Sequence, residues 1–233
     1  MPKKIAIMQP YFFPYIGYWQ LINAVDIFVL YDDVNYIKGG WINRNNILVN
    51  GQKHMITLPL LNSSPYSPIN KIKITDNQKI KEKLARSIEF AYKKAPYFTS
   101  VFPYIYETII KNGIISDIVY ETILWIKEYL SLNTEILLSS KIDKDLSLKG
   151  QNKVINIVKN LNGEIYINAI GGQELYDKEI FNNNEIKLNF IKMKEIKYKQ
   201  FNNEFVPNLS FIDVLMFNSP EEIKNMLGMY ELV

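Results

Sequence analysis

Two short apolar runs dominate the start of the chain. Ile5-Ala6-Ile7-Met8 and Ile27-Phe28-Val29-Leu30-Tyr31 lack polar alternation, and each gives way at once to polar, loop-forming residues. Such runs are what strands buried on both faces of a parallel sheet look like. Residues 55–60 and 69–74 alternate as strands do, and the Ser-, Pro- and Asn-rich segment 62–68 reads as a turn-rich connection. The period then becomes helical over 79–94, which stops before Pro96, over 99–112, which ends at Gly113, and over 116–130, with Ile118, Thr122, Trp125 and Tyr129 inward. A strand at 135–138, an amphipathic helix at 151–162, a strand at 165–168, a helix at 173–181 and a strand at 187–191 complete the pattern.

Strand and helix in alternation with short connections imply parallel βαβ units. The expectation is an α/β fold: a five-stranded parallel sheet with 5–8 and 27–31 as neighbouring central strands. The chain reads as one domain, 1–233, with a helical insertion at about 79–131. Loops 9–17, 32–44, 139–140 and 168–172 would then leave the carboxyl ends of strands and line one crevice, where open α/β sheets bind ligands.

Composition narrows the chemistry. No cysteine is present and His54 is the only histidine, so neither a zinc site nor a Cys-His dyad can be assembled, and His54 reads as a solvent-facing residue at a strand start. The 27 basic and 24 acidic residues are spread evenly along the chain, for a net charge of +3, and this excludes a nucleic-acid interface as an expectation. No apolar run approaches the ~20 residues of a membrane span, and the amino terminus lacks a signal peptide's apolar region, so a cytoplasmic protein is expected. Composition does not fix an oligomeric state.

The candidate functional residues sit at the strand ends. Asp32 or Asp33 could hold Mg²⁺, orient a ribose hydroxyl or deprotonate an amine; either could equally sit in an Asx turn. With Lys38 they are the catalytic candidates. Arg44 is one of only two arginines, the other being Arg86, and it lies in Trp41-Ile42-Asn43-Arg44-Asn45. A guanidinium there either grips phosphate bidentately or stacks on Trp41. Gln9, Pro10, Ser139 and Ser140 lie in the same set of loops. Gly171-Gly172 either makes a plain turn or offers backbone N–H groups to an anion at a helix start. Ser210 reads as an N-cap with Asp213 completing an approximate capping box, and Gln200 precedes it in a lysine-rich stretch.

Tyr15-Ile16-Gly17-Tyr18 resembles the His-x-Gly-His turn of the nucleotidylyltransferase and class I synthetase superfamily, with tyrosines at both histidine positions. That resemblance implies a Rossmann-like sheet and nucleotide binding near Tyr15, Gly17 and Tyr18, with a second phosphate-binding loop around Ser210. Adenylyl transfer would call for ATP with Mg²⁺; no other cofactor is implied.

The chain as a whole resembles the WbqC-like family of bacterial proteins. The resemblance rests on residues 9–18 (Gln-Pro-Tyr-Phe-Phe-Pro-Tyr-Ile-Gly-Tyr), on Asp32-Asp33, Lys38 and 41–45, and on Leu58-Pro59-Leu60. Further matches are Ser139-Ser140, Gly171-Gly172, Tyr198-x-Gln200 and residues 205–213. It implies a glycine (aminoacyl) or acyl transferase of O-antigen and surface-polysaccharide biosynthesis. Such an enzyme would join an activated carboxyl group to the amine of a nucleotide-linked amino sugar. The donor could be an acyl-adenylate or a preformed carrier, with aminoacyl-tRNA left open. Alternatives are an ATP-dependent nucleotidylyl-transfer enzyme and a non-catalytic nucleotide-sugar binding protein.

Overall fold

The computed structural model describes residues 1–202 and 204–233. Strand β1 (Lys4–Met8) leads through helix α1 (Ile16–Asn23) into β2 (Ile27–Leu30). Two antiparallel hairpins follow, β3 (Arg44–Val49) with β4 (Gln52–Thr57), then β5 (Leu60–Leu61) with β6 (Lys73–Ile74). Helices α2 (Gln78–Tyr92), α3 (Phe98–Ile110) and α4 (Ile115–Tyr129) precede β7 (Glu135–Leu138). The chain then runs α5 (Gly150–Asn160), β8 (Ile165–Ala169), α6 (Lys178–Asn183), β9 (Lys187–Met193), α7 (Phe211–Phe217), α8 (Pro220–Leu227) and β10 (Tyr230–Leu232).

The central sheet has six strands, in the order β10-β9-β8-β1-β2-β7. The five from β9 to β7 are parallel, as the apolar runs imply, and β1 pairs with β2 from Ile5↔Ile27 to Met8↔Leu30. The expected count of five is corrected by β10, which adds antiparallel to β9 through Tyr230↔Met193 and Leu232↔Ile191. A three-residue edge strand is too short to leave a periodic signal. From β1 the chain steps outward through β2 and β7, then returns to the other side of β1 at β8. The order of strands therefore reverses between β1 and β8, and such a switch point opens a crevice at the carboxyl edge.

Period-2 alternation divides β2 between two cores. Phe28 and Leu30 pack with α1, α7 and the inserted helices, while Ile27 and Val29 pack with Val154, Ile157 and Val158 of α5. A strand covered on both faces needs apolar side chains at every position, which is why its sequence is unbroken. Trp19 of α1 stacks on Phe211 of α7, ring centres 4.8 Å apart, and buried Gln20 donates to Met226 O and Met229 O at the end of α8.

Everything between β2 and β7 is inserted between two strands that pair directly. Here the sequence reading needs two corrections. The expected strand at 55–60 is split: 55–57 end β4, one arm of a hairpin whose turn is Asn50-Gly51, with φ of 50° and 77°, and Leu60 opens β5. An Asn-Gly pair with both φ positive is the turn that matches strand twist. The expected strand at 69–74 is mostly a 3-10 turn, Ile69–Lys71, followed by the two-residue β6. Among the described residues no helix is long and apolar enough to cross a membrane.

Candidate functional site

The loop that leaves β1 folds back on itself and builds a pocket of about 370 Å³ lined by Tyr11, Pro14, Tyr15, Trp41, Asn45 and Asn208. Its floor is scaffolded. Asn45 donates to Phe12 O (3.1 Å) and Phe13 O (2.7 Å), Ser210 Oγ donates to Phe13 O (2.9 Å), and Phe12 N donates to Trp41 O. Phe13 is thereby held at φ 42°, a conformation a bulky residue adopts only when its surroundings impose it. Tyr15 and Trp41 stand partly exposed as walls. Burial raises the Tyr11 and Tyr15 phenols above their ordinary pKa, so both present O–H donors at physiological pH.

Arg44 flanks this pocket. Its Nε donates to Gly40 O (2.9 Å) and its guanidinium lies 5.8 Å from the Trp41 ring centre. No carboxylate pairs with it among the described residues. The two readings of Arg44 merge: stacking on Trp41 holds a guanidinium whose terminal nitrogens remain available.

The His-x-Gly-His-like turn is placed differently from the resemblance. Tyr18 is buried, donates to Gln9 O (2.9 Å) and packs against Tyr11 and Phe28, so it belongs to the core. The Tyr15 ring lies over Gly17, so closely that a Cβ there would sit 2.4 Å from it. Space that a nucleobase would use above the glycine is filled, and no cation faces a triphosphate from these positions. Pro10 is buried. Among the described residues the Gln9 side chain makes no hydrogen bond, and exposed Lys38 has no ion-pair partner.

The two aspartates after β2 take opposite roles. Asp32 is buried; its carboxylate accepts from Ser140 N (2.8 Å) and Asn70 Nδ2 (3.3 Å), tying the loops after β2 and β7 together. Asp33 faces the other way and receives Lys144 Nζ at 3.1 Å and Lys153 Nζ at 3.3 Å. Burial pushes the Asp33 carboxyl up, but the Ser139 hydroxyl, the Lys144 ammonium and the Lys153 charge outweigh it and hold the group below the usual carboxylate range. Ser139 acts there as a neighbouring dipole and not as a formed hydrogen bond, since Ser139 Oγ and Asp33 Oδ1 are both buried without a partner. A carboxylate stabilised by two ammoniums is a poor general base. Among the described residues no three Asp, Glu or His side chains cluster as metal ligands.

Other expected binding residues are scaffold. Asn43 is buried, accepting from Tyr36 O–H (2.9 Å) and donating to Leu58 O (2.8 Å). Gln200 is buried, exchanges hydrogen bonds with Val206 and donates to Asp213 Oδ2 (2.7 Å). Ser210 does cap α7, accepting from Ile212 N, but Asp213 does not close a capping box; its carboxylate turns inward to Tyr92, Tyr198 and Gln200. Gly171 and Gly172 lie in a 3-10 turn, Ile170–Leu175, so the helix expected at 173–181 begins only at Lys178, capped by Asp177. Among the described residues no α-helix starts at the glycines.

Of the expected residues the structure therefore brings Tyr15 and Trp41 to one pocket, with Arg44 beside Trp41, and Asp33 and Ser139 to a second cluster. Asp32, Asn43, Gln200 and Ser210 hold the loops. Sequence reasoning missed Tyr11, Asn208, Lys144 and Lys153. Tyr11 lay within the quoted motif, whereas the lysines are indistinguishable by pattern from the chain's many surface lysines.

Comparison with known proteins reaches the level of family. The chain is 26% identical to an uncharacterized protein, Rv1507c, of Mycobacterium tuberculosis, over 97% of each chain. No solved structure matches it. The family model described as the WbqC-like protein family matches residues 9–225, which takes in both the aromatic pocket and the lysine cluster, and the chain belongs to that family.

Proposed function

We propose that this protein is a transferase on a Rossmann-like sheet that forms an amide between an activated amino-acid or acyl group and the amine of a nucleotide-linked amino sugar. The observation that carries the reading is the pocket after β1, with Tyr11, Tyr15 and Trp41 as aromatic walls. Flat aromatic faces take sugar rings and nucleobases, and a volume near 370 Å³ suits one such group. Asn208 and the two phenols supply hydroxyl-directed hydrogen bonds, and Arg44, held on Trp41, is the anchor for the diphosphate. The amine reaches the donor as the free base from solution equilibrium, since no carboxylate or imidazole lines the pocket.

That same absence of a base favours one second reading, a binding protein without turnover. Titration of UDP-, dTDP- and GDP-linked amino sugars, followed by tryptophan fluorescence and calorimetry, tests the pocket. Binding that is lost in Trp41→Ala supports it. Affinity unchanged by Trp41→Ala and Tyr15→Ala refutes it. Turnover assays on the best sugar with acyl-adenylate, acyl-CoA and aminoacyl-tRNA donors then separate transferase from binder.

A further inference from the structure

Lys144 and Lys153 share one carboxylate but not one role. An ammonium has three N–H donors. Lys144 donates to Ser139 O and Ile142 O and pairs with Asp33 Oδ2 at 3.1 Å, so it is engaged as a clamp on the turn after β7, and its side chain is only 3% exposed. Lys153, projecting from α5, uses one N–H on Asp33 Oδ2 and rests over the Tyr31 ring, 5.3 Å from its centre. Two donors of this ammonium, on a side chain 12% exposed, have no protein partner among the described residues. Beside it stand two further unmatched groups, the acceptor Asp33 Oδ1 and the hydroxyl of Ser139, both buried. Asp32 does not neutralise the surplus, because its oxygens are taken by Ser140 N and Asn70.

An unmatched buried carboxylate oxygen and an unmatched buried hydroxyl at a sheet's carboxyl edge cost stability where they stand, and an ammonium with donors to spare lies beside them. Together they are the complement of an anion that carries a neighbouring hydroxyl. We propose that Lys153, Asp33 and Ser139 form a binding site for a ribose phosphate, the phosphate on Lys153 and ribose hydroxyls on Asp33 Oδ1 and Ser139 Oγ. Lys153 is the mobile part: one ion pair and one cation–π contact hold it, and binding requires it to swing off Asp33 toward the phosphate. Its charge then meets the anion while Lys144 keeps Asp33 ionised. In the transferase reading, on which this role rests, the site takes the donor, and the ribose phosphate is its carrier's nucleotide. The aromatic pocket is left to the sugar acceptor.

Calorimetric titration of the full chain with ribose 5-phosphate, AMP, coenzyme A and deacylated tRNA tests this, and shows which source of ribose phosphate the site accepts. Lys153→Gln is expected to weaken binding at least about tenfold, the worth of one charge-assisted hydrogen bond, with most affinity kept in Lys153→Arg. Ser139→Ala is expected to weaken binding several-fold while leaving the ligand-free melting temperature nearly unchanged, because the dipole lost beside Asp33 is offset by removal of a buried hydroxyl without a hydrogen-bond partner. Trp41→Ala is expected to bind AMP normally, so loss of nucleotide-sugar binding there leaves this proposal standing. The proposal is overturned if none of the four probes binds at millimolar concentration, if Lys153→Gln binds as wild type, or if Ser139→Ala melts several degrees lower without ligand.

Discussion

The buried carboxylate of Asp213 ties the insertion to the carboxyl-terminal segment, and its replacement by asparagine isolates what that knot is worth. Asp213 accepts from Tyr92 of α2 (2.9 Å), and from Tyr198 (2.6 Å) and Gln200 (2.7 Å) of the segment after β9. Gln200 cannot turn its amide over, because Val206 holds both ends of it. The amide introduced by Asp213→Asn must therefore point its oxygen at Gln200 and Tyr198 and its NH₂ at Tyr92. The Tyr92 oxygen already accepts from Leu48 N (2.9 Å), so its O–H is left without an acceptor. Losing the charge assistance and orphaning one buried hydroxyl should cost ~2–3 kcal/mol. At this chain length that is a fall of roughly 5–10 °C in melting temperature.

The pH dependence supplies a second readout. Burial pushes the Asp213 carboxyl from 3.8 to about 6, against the lowering effect of Tyr198, Gln200 and Tyr92. Folded Asp213 thus holds its proton more tightly than the unfolded chain does. Its contribution is fully present below the unfolded pKa and is lost as pH rises through about 6. Two units at ~1.4 kcal/mol each give ~3 kcal/mol across that window. Urea unfolding of both proteins from pH 4 to 7 should show the wild type's advantage over Asp213→Asn widening as the solution is acidified. An Asp213→Asn protein within ~0.5 kcal/mol of wild type at pH 7 refutes the donor geometry. An advantage that narrows on acidification shows that the donors, not burial, set the pKa.

Three further substitutions follow from the same geometry. Lys81 is buried and its ammonium serves Ile110 O (2.7 Å) and Asn112 Oδ1 (2.5 Å) at the end of α3, so Lys81→Met should cost ~2 kcal/mol in urea unfolding, and an unchanged midpoint would refute the cap. Gly51 sits at φ 77° in the β3–β4 turn; Gly51→Ala should cost ~1–2 kcal/mol by the same measurement, whereas no loss would mean the turn relaxes to another type. Arg44→Lys should weaken nucleotide-sugar binding by ~1.5–3 kcal/mol in calorimetry with little change in ligand-free melting, and a melting drop of several degrees would make Arg44 structural.

How much of this was legible depended on whether one segment's own pattern decided its structure. The runs at 5–8 and 27–31 could be placed as paired central strands because burial on both faces leaves no freedom in composition. The hairpin at 44–57 was written just as plainly in Asn50-Gly51, a local signal that an apolar-run reading passes over. The helix at 173–181 failed because Ile170-Gly171-Gly172-Gln173 closes i→i+3 turns first and Asp177 supplies a better N-cap. Strand β10 owes its existence to pairing with β9, a tertiary fact that three residues cannot announce.

The site was half legible for a related reason. Residue type marks Asp32, Asn43, Gln200 and Ser210 as capable of binding, and each does bind, but its partner is the protein's own backbone or side chains. Loops that carry a crevice beyond a parallel sheet have few backbone partners of their own, so polar side chains must be consumed to hold them. What separates scaffold from site is hydrogen-bond capacity left over, and no sequence shows that. Asp32 and Asp33 are adjacent and identical in type, yet the first is matched at both oxygens while the second keeps one buried oxygen unmatched beside a lysine with donors to spare. On that criterion Asp33 and Lys153, not Asp32, are the strand-end residues to mutate first. The same criterion puts Arg44, with its terminal nitrogens open beside Trp41, ahead of Asn43, whose amide is used at both ends.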